Sequence, residues 1–218
     1  MTLPLRFLLW FLIATSILIA GHAFLFQAGL SGGEDFQARF ARIPLFAAFH
    51  VLGSGVALLI GGFQFLPGLR ARRISVHRWL GRIYLSAVLL GGIGGIALSS
   101  QAAGGLAGQA GFFFLAVVWL VSGWQAYAAI RRGEVQAHRT WMVRNFALTF
   151  AAVTLRIYLG VATGVLSISF DAFYPLVAWL CWVPNLIVAE WLIVAAPPLA
   201  WGITRRMTKS ARTESAPG

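Results

Sequence analysis

Long apolar stretches, each separated from the next by a short polar segment, dominate the chain. Six stand out, at about Leu5–Phe26, Ile43–Phe65, Leu80–Leu98, Phe112–Ile130, Met142–Ser167 and Pro175–Trp201. A hydrocarbon core of about 30 Å takes roughly 20 apolar residues in a helix, so each run is long enough to cross once. None alternates apolar and polar residues as a membrane β-strand must. The pattern predicts an all-α polytopic membrane helical bundle with six transmembrane helices, occupying residues 1–201 as one domain.

The polar segments are not alike. The second carries Arg70, Arg72, Arg73 and Arg78, the fourth Arg131, Arg132 and Arg139, and the C-terminal one Arg205, Arg206, Lys209 and Arg212. The third and fifth have neither Lys nor Arg, and in the first Arg39 and Arg42 are offset by Glu34 and Asp35. Cytoplasmic loops collect Lys and Arg, which predicts that both termini are cytoplasmic. Trp79, Trp141 and Trp201 fall at the predicted inner boundary, where amphipathic rings settle at headgroup level. Residues 202–218 are basic, contain Ser, Ala and Pro, and read as a disordered cytoplasmic tail. The first run has the basic start of a signal peptide in Arg6, but it is longer than the about 7–15 apolar residues of such a segment and reads as a retained helix.

Composition narrows the class further. Of 218 residues, 59% are hydrophobic and 11% charged, with a mean hydropathy of +0.80, whereas soluble domains average about 25% charged. Too little polar surface remains to coat a soluble enzyme, and the chain is far too hydrophobic to be disordered. The net charge of +11 comes from sixteen Arg, one Lys and six acids. Clustered between apolar runs, the arginines are topology signals, and no nucleic-acid partner is expected. The single cysteine, Cys181, excludes within one chain a disulfide, a CxxC pair, covalently attached haem or a cysteine-ligated iron–sulfur cluster.

Candidate chemistry rests on polar groups inside the runs, which are costly in hydrocarbon and turn toward the bundle interior. At about 1.5 Å per residue, His50 lies about 10 Å below the outer boundary on the second helix. His22 is about 6 Å deep on the first helix, with Arg156 of the fifth at a similar level. The inner layer holds Gln64; His77, Arg78 and Arg82; His138, Arg139, Arg144 and Asn145; and Glu190, about 8 Å inside the inner boundary. Asn185 is a further polar group of the sixth helix. Arg156 needs carbonyls, a bound anion or Asp171, and Glu190 pairs with Arg82 or Arg144. Tyr84 and Tyr158 read as packing and interface residues.

Two patterns recur. His50, Gly53, Ala57, Gly61 and Gln64, spaced by 3, 4, 4 and 3, share one helix face. That face is either a close helix contact through small residues or a slot for a flat ligand. His77-Arg78-Trp79 with Arg82 opens the third helix, and His138-Arg139-Thr140-Trp141 with Arg144 opens the fifth. The echo is a parallel duplication of helical hairpins or a coincidence of two interfacial signals.

Two layers of histidine point to haem b, whose iron takes imidazoles from facing helices while arginines neutralise its propionates. His77 and His138 would form the inner pair, and His50 with His22 the outer, in a cytochrome-like membrane electron carrier with a membrane redox partner. Other readings stay open. Arg156, Glu190 and His50 would serve a small-molecule, lipid or ion permease or sensor, and Arg78, Arg82, Arg139 and Arg144 would clamp anionic lipid headgroups. Glycine-rich faces would suit a non-catalytic membrane partner protein. No Ser/His/Asp grouping, HExxH or P-loop is present, so no catalytic residue is assigned.

The stretches HVLGSGVALLIGGFQFL (50–66), HRWLGRIYL (77–85) and AHRTWMVRNFALTFAAVTLRIYL (137–159) resemble a family of predicted prokaryotic membrane proteins, domain of unknown function 2306. VPNLIVAEW (183–191) is similar to its last-helix motif, so the resemblance covers about residues 46–191. It implies a multi-pass protein of the bacterial inner membrane, with the bilayer as its partner. In architecture the chain is also similar to di-haem transmembrane cytochromes, the cytochrome b561 and ferric-reductase-like proteins. Where that pattern has a histidine on the fourth helix, this chain offers Trp119 and Trp124.

Overall fold

The computed structural model describes residues 3–195, in which helix is the one regular element and no strand occurs. In chain order the α-helices are α1 (Leu3–Gln27), α2 (Glu34–Ala41), α3 (Pro44–Gly61), α4 (Pro67–Arg72) and α5 (Ile74–Ser99). They continue with α6 (Gly105–Arg131), α7 (Val135–Thr149), α8 (Ala151–Leu159), α9 (Phe170–Leu180) and α10 (Val183–Ala195). Six segments are long and apolar enough to cross a membrane: Leu5–Gln27, Pro44–Phe65, Ile74–Ser99, Gly105–Arg131, Val135–Val165 and Phe170–Ala195. Each matches one run of the sequence, although the third, fourth and fifth start about two turns earlier than hydropathy alone predicts. Polar residues at those starts keep their heads toward water while their stems continue the helix. Trp201 and the tail from residue 202 lie outside the described residues.

Local sequence explains where the helices begin and break. Pro44 starts α3 at a position where its missing N–H is not needed. The helix ends at a glycine pair and continues as a 3-10 turn, Gly62–Phe65, in which Gln64 still lies toward α5, as Gly53 and Gly61 do. The fifth span bends between α7 and α8, where the Thr149 hydroxyl sits 2.9 Å from the Asn145 carbonyl and competes with the helix ladder. It then finishes in a π-helical turn, Gly160–Val165. The sixth breaks between α9 and α10 because Pro184 has no N–H for the Leu180 carbonyl. Thr154 ties down that break by donating to the Cys181 carbonyl at 2.5 Å. Asn185 then donates to Thr154 Oγ1 and to the Ala147 carbonyl, both at 3.1 Å.

Packing follows the small residues. In lipid, apolar side chains gain nothing by leaving their surroundings, so close backbone approach and interhelical hydrogen bonds must hold helices together. α3 and α5 form the most intimate pair: a Cβ on Gly53 would sit 2.6 Å from the Gly91 nitrogen, and one on Gly94 would run into the Phe46 carbonyl. The glycine face of the second span is thus a helix contact along its middle. α1 packs against α3, α5 against α6, α6 against α7 and α9, and α7 against α10. Phe7, Trp10, Leu18, Trp124, Ile187 and Val194 stand on the outside, where the acyl chains would cover them.

Candidate ligand-binding cavity

The bundle is not filled to its arginine-poor end. A cavity of about 400 Å³ lies between α1, α3, α5, α6, α8 and α9, and α2 roofs it. Phe40 and Phe36 of α2 form that roof, Phe40 through a ring contact to Phe26 at 5.0 Å and Phe36 through one to Phe170 at 6.2 Å. The hydropathy pattern did not mark α2, which is too short to register as a span. The volume falls within the range of about 300–1,000 Å³ typical of small-molecule sites, and most of the lining is apolar.

Three polar residues that the sequence places in the outer layer converge here. His22, His50 and Arg156 all line the cavity, and both imidazoles lie within electrostatic reach of the guanidinium. His50 is oriented from behind, its Nδ1 2.9 Å from the Gly91 carbonyl. A carbonyl only accepts, so Nδ1 carries the hydrogen, and neutral His50 presents a lone pair at Nε2. Among the described residues, the hydrogen-bond partner of Arg156 is the Ala152 carbonyl at 2.8 Å. No carboxylate joins it: Asp171 is exposed on α9, and the wall facing Arg156 is the buried Tyr174. One carbonyl satisfies one donor of a five-donor group, so the site can still receive an anion or a carbonyl oxygen.

The floor is a hydrogen-bonded layer that sequence reasoning missed. Asn145, fully buried, donates through Nδ2 to the Trp119 carbonyl and to Ser122 Oγ, both at 2.8 Å. The Tyr84 hydroxyl lies 2.7 Å from both Asn145 Oδ1 and Thr149 Oγ1, and Trp119 Nε1 donates to Thr149 at 2.9 Å. Tyr84 is therefore a buried hydrogen-bonding residue and not an interface aromatic. Trp119, in the helix where the cytochrome pattern has a histidine, joins this floor and also lines the cavity.

The remaining predicted residues sit at the arginine-rich end. His77 is within electrostatic reach of Arg70, His138, Arg139 and Arg78, so the two inner histidines do share a neighbourhood. His138 is oriented like His50, its Nδ1 2.9 Å from the Ala126 carbonyl. Arg82 stacks over Trp79 at 5.0 Å and Arg144 over Trp141 at 4.6 Å, so the echo repeats as the same Trp–Arg pair three residues apart. Arg144, rather than Arg82, takes Glu190, in a bidentate pair at 2.5 and 2.8 Å. Glu190 is half-exposed there, well away from the cavity. No group of three or more His, Cys, Asp or Glu side chains is placed to hold a metal ion among the described residues.

Fold and polar interior together define a six-span integral membrane protein built around an intramembrane cavity. Within that class, residues 47–193 match the family described as Predicted membrane protein (DUF2306), and the chain belongs to this family. No curated protein and no solved structure matches it.

Proposed function

We propose that the protein binds an amphipathic small molecule within the membrane, its anionic or carbonyl oxygen on Arg156, a hydroxyl or N–H of its head donating to His50 Nε2, and its apolar body in the cavity. The observation that carries this reading is the half-buried Arg156 guanidinium, which faces an apolar cavity with one backbone carbonyl as its hydrogen-bond partner. A cation left so incompletely satisfied in a low-dielectric interior favours a ligand that brings the missing acceptors. The Tyr84–Asn145–Thr149–Trp119 floor closes the cavity from the other half of the bundle, which supports binding, sensing or carrying over a continuous pore. The membrane in question is the inner membrane of a bacterium, with the arginine-rich end in the cytoplasm, a reading supported by the charge asymmetry of the connections.

A second reading is favoured by one specific observation. His50 and His138 each direct Nδ1 at a backbone carbonyl, the arrangement that leaves Nε2 as a metal ligand. In that reading His50 with His22, and His77 with His138, would hold haem b, and Arg156 would receive a propionate. The haem would supply one-electron transfer to a membrane redox partner.

One preparation tests both. The full-length protein purified from haem-replete cells should carry an extractable amphiphile detectable by mass spectrometry, retained by the wild type and lost from Arg156→Leu. Equal recovery from the two proteins would defeat the ligand reading. A Soret band that disappears in His50→Ala or His138→Ala selects haem, and a colourless preparation removes it.

A further inference from the structure

The charge lining the cavity is all of one sign. Two guanidiniums reach it from different elements, Arg156 from α8 and Arg39 from the roof helix α2. The imidazoles of His22 and His50 line it as well, and among the described residues no Asp or Glu does. In the sequence Arg39 is a connection charge beside Glu34 and Asp35, whereas in the fold it belongs to the cavity wall.

The two arginines share one neighbour. Arg39 lies over the Phe36 ring, 5.9 Å from its centroid, and that ring lies 6.5 Å from the ring of Tyr174. Arg39 and Arg156 are both within electrostatic reach of the Tyr174 hydroxyl. Neither has a carboxylate partner among the described residues, whose ion pairs, Arg132–Glu134 and Arg144–Glu190, lie toward the arginine-rich end. Arg156 uses one donor on the Ala152 carbonyl, and Arg39 donates no hydrogen bond to a described residue. Arg42, at the other end of α2, differs in donating to Gln101 Oε1 at 3.4 Å. Two like charges beside one apolar cavity repel each other and are costly to desolvate. An oxyanion, with several lone pairs and the opposite charge, relieves both penalties.

Resting on the amphiphile-binding reading above, we propose that the head of the ligand is an oxyanion, a carboxylate or phosphate, held jointly by Arg39 and Arg156. The roof helix then supplies part of the binding site as well as its cover. Arg156 alone suits a neutral carbonyl as well as an anion. A second guanidinium, brought to the same cavity from another helix, is an uncompensated charge unless the ligand is negative. The aromatic and aliphatic lining takes the apolar body, and a hydroxy acid satisfies His50 Nε2 with the same head.

The test uses the full-length protein in phosphatidylcholine nanodiscs and two fluorescent probes, cis-parinaric acid and its methyl ester. Energy transfer from tryptophan reads binding, at about pH 8.5, where a carboxyl whose pKa is raised by the bilayer is still ionised. The acid should bind, and the ester should bind about tenfold more weakly. Arg39→Gln should weaken the acid by about tenfold, the loss of one charge-assisted contact, and leave the ester unchanged. Arg39→Lys, which keeps the charge, should recover most of that loss. Hexadecanoic acid and hexadecyl phosphate then compete with the bound probe, and the stronger competitor identifies the head as carboxylate or phosphate. Equal binding of acid and ester overturns the proposal, and so does an acid affinity unaltered in Arg39→Gln. If both probes are nevertheless lost from Arg156→Leu, the amphiphile reading stands without the second arginine. Failure of both probes to bind the wild type defeats the two together. The comparison of acid with ester in the wild type remains decisive should Arg39→Gln not fold.

Discussion

Asn145 shows what a single polar side chain does inside a span. Its amide uses both donors and its oxygen on three different helical neighbours, Trp119, Ser122 and Tyr84, joining α5, α6 and α7 at one level. Tyr84→Phe removes the donor to Asn145 Oδ1 and leaves that acceptor buried. We expect it to lower stability by about 1–2 kcal/mol, read as an earlier unfolding transition in detergent. An unchanged transition would show that the layer contributes nothing. Asn145 was legible in the sequence as a polar group at a given depth, as were His22, His50 and Arg156. Their partners were not, because residue spacing fixes depth along a helix but not which way neighbouring helices are rotated. Tyr84, Ser122 and Thr149 looked like ordinary span residues for the same reason.

At the scale of elements, glycine decides which helices touch. Gly53 and Gly21 both lie in membrane-spanning helices, but a Cβ at Gly53 meets the Gly91 backbone at 2.6 Å while one at Gly21 meets nothing within 4 Å. Gly53→Val should therefore force α3 from α5 and cost about 1–3 kcal/mol or prevent folding, whereas Gly21→Ala should stay within about 0.5 kcal/mol. Folded yield and thermal midpoint, measured side by side, check the contrast. The turn from α6 to α7 offers a test by pH. Arg132 donates to both Glu134 oxygens at 2.8 and 2.9 Å, around Gly133 with φ 78°. Hydrogen bonds from Arg132, the larger cause, and its charge hold the Glu134 carboxyl below the ordinary carboxylate range. A depressed folded value means that the pair stabilises the turn above the ordinary carboxylate pKa, and that this is lost as pH falls through the folded value. The pair is exposed, so the effect is small. Glu134→Gln should lower the midpoint slightly at neutral pH and converge with the wild type in acid. A difference that persists or grows in acid would assign it to something other than ionisation. These turns and breaks were only partly legible: Pro184 announces its own break, but the bend after Thr149 depends on a hydroxyl-to-carbonyl contact within an unbroken apolar run.

For the whole molecule, the arrangement of charge and polarity is polar in the directional sense. Arg70, Arg72, Arg73, Arg78, Arg131, Arg132 and Arg139 gather at one end, and the apolar cavity lined by Arg156 sits at the other. Insertion follows the arginines, so the end of the bundle with the cavity should face away from the cytoplasm. An introduced cysteine can report this, because the native thiol is out of reach: Cys181 is fully buried. In a Cys181→Ala background, Ser100→Cys marks the connection between α5 and α6, and Ser75→Cys the arginine-rich start of α5; both positions are exposed. In spheroplasts, a membrane-impermeant maleimide should label Ser100→Cys in intact cells and Ser75→Cys only after lysis. The reverse pattern would turn the protein over and put the cavity at the cytoplasmic side. Its ligand would then be drawn from the cytoplasmic leaflet.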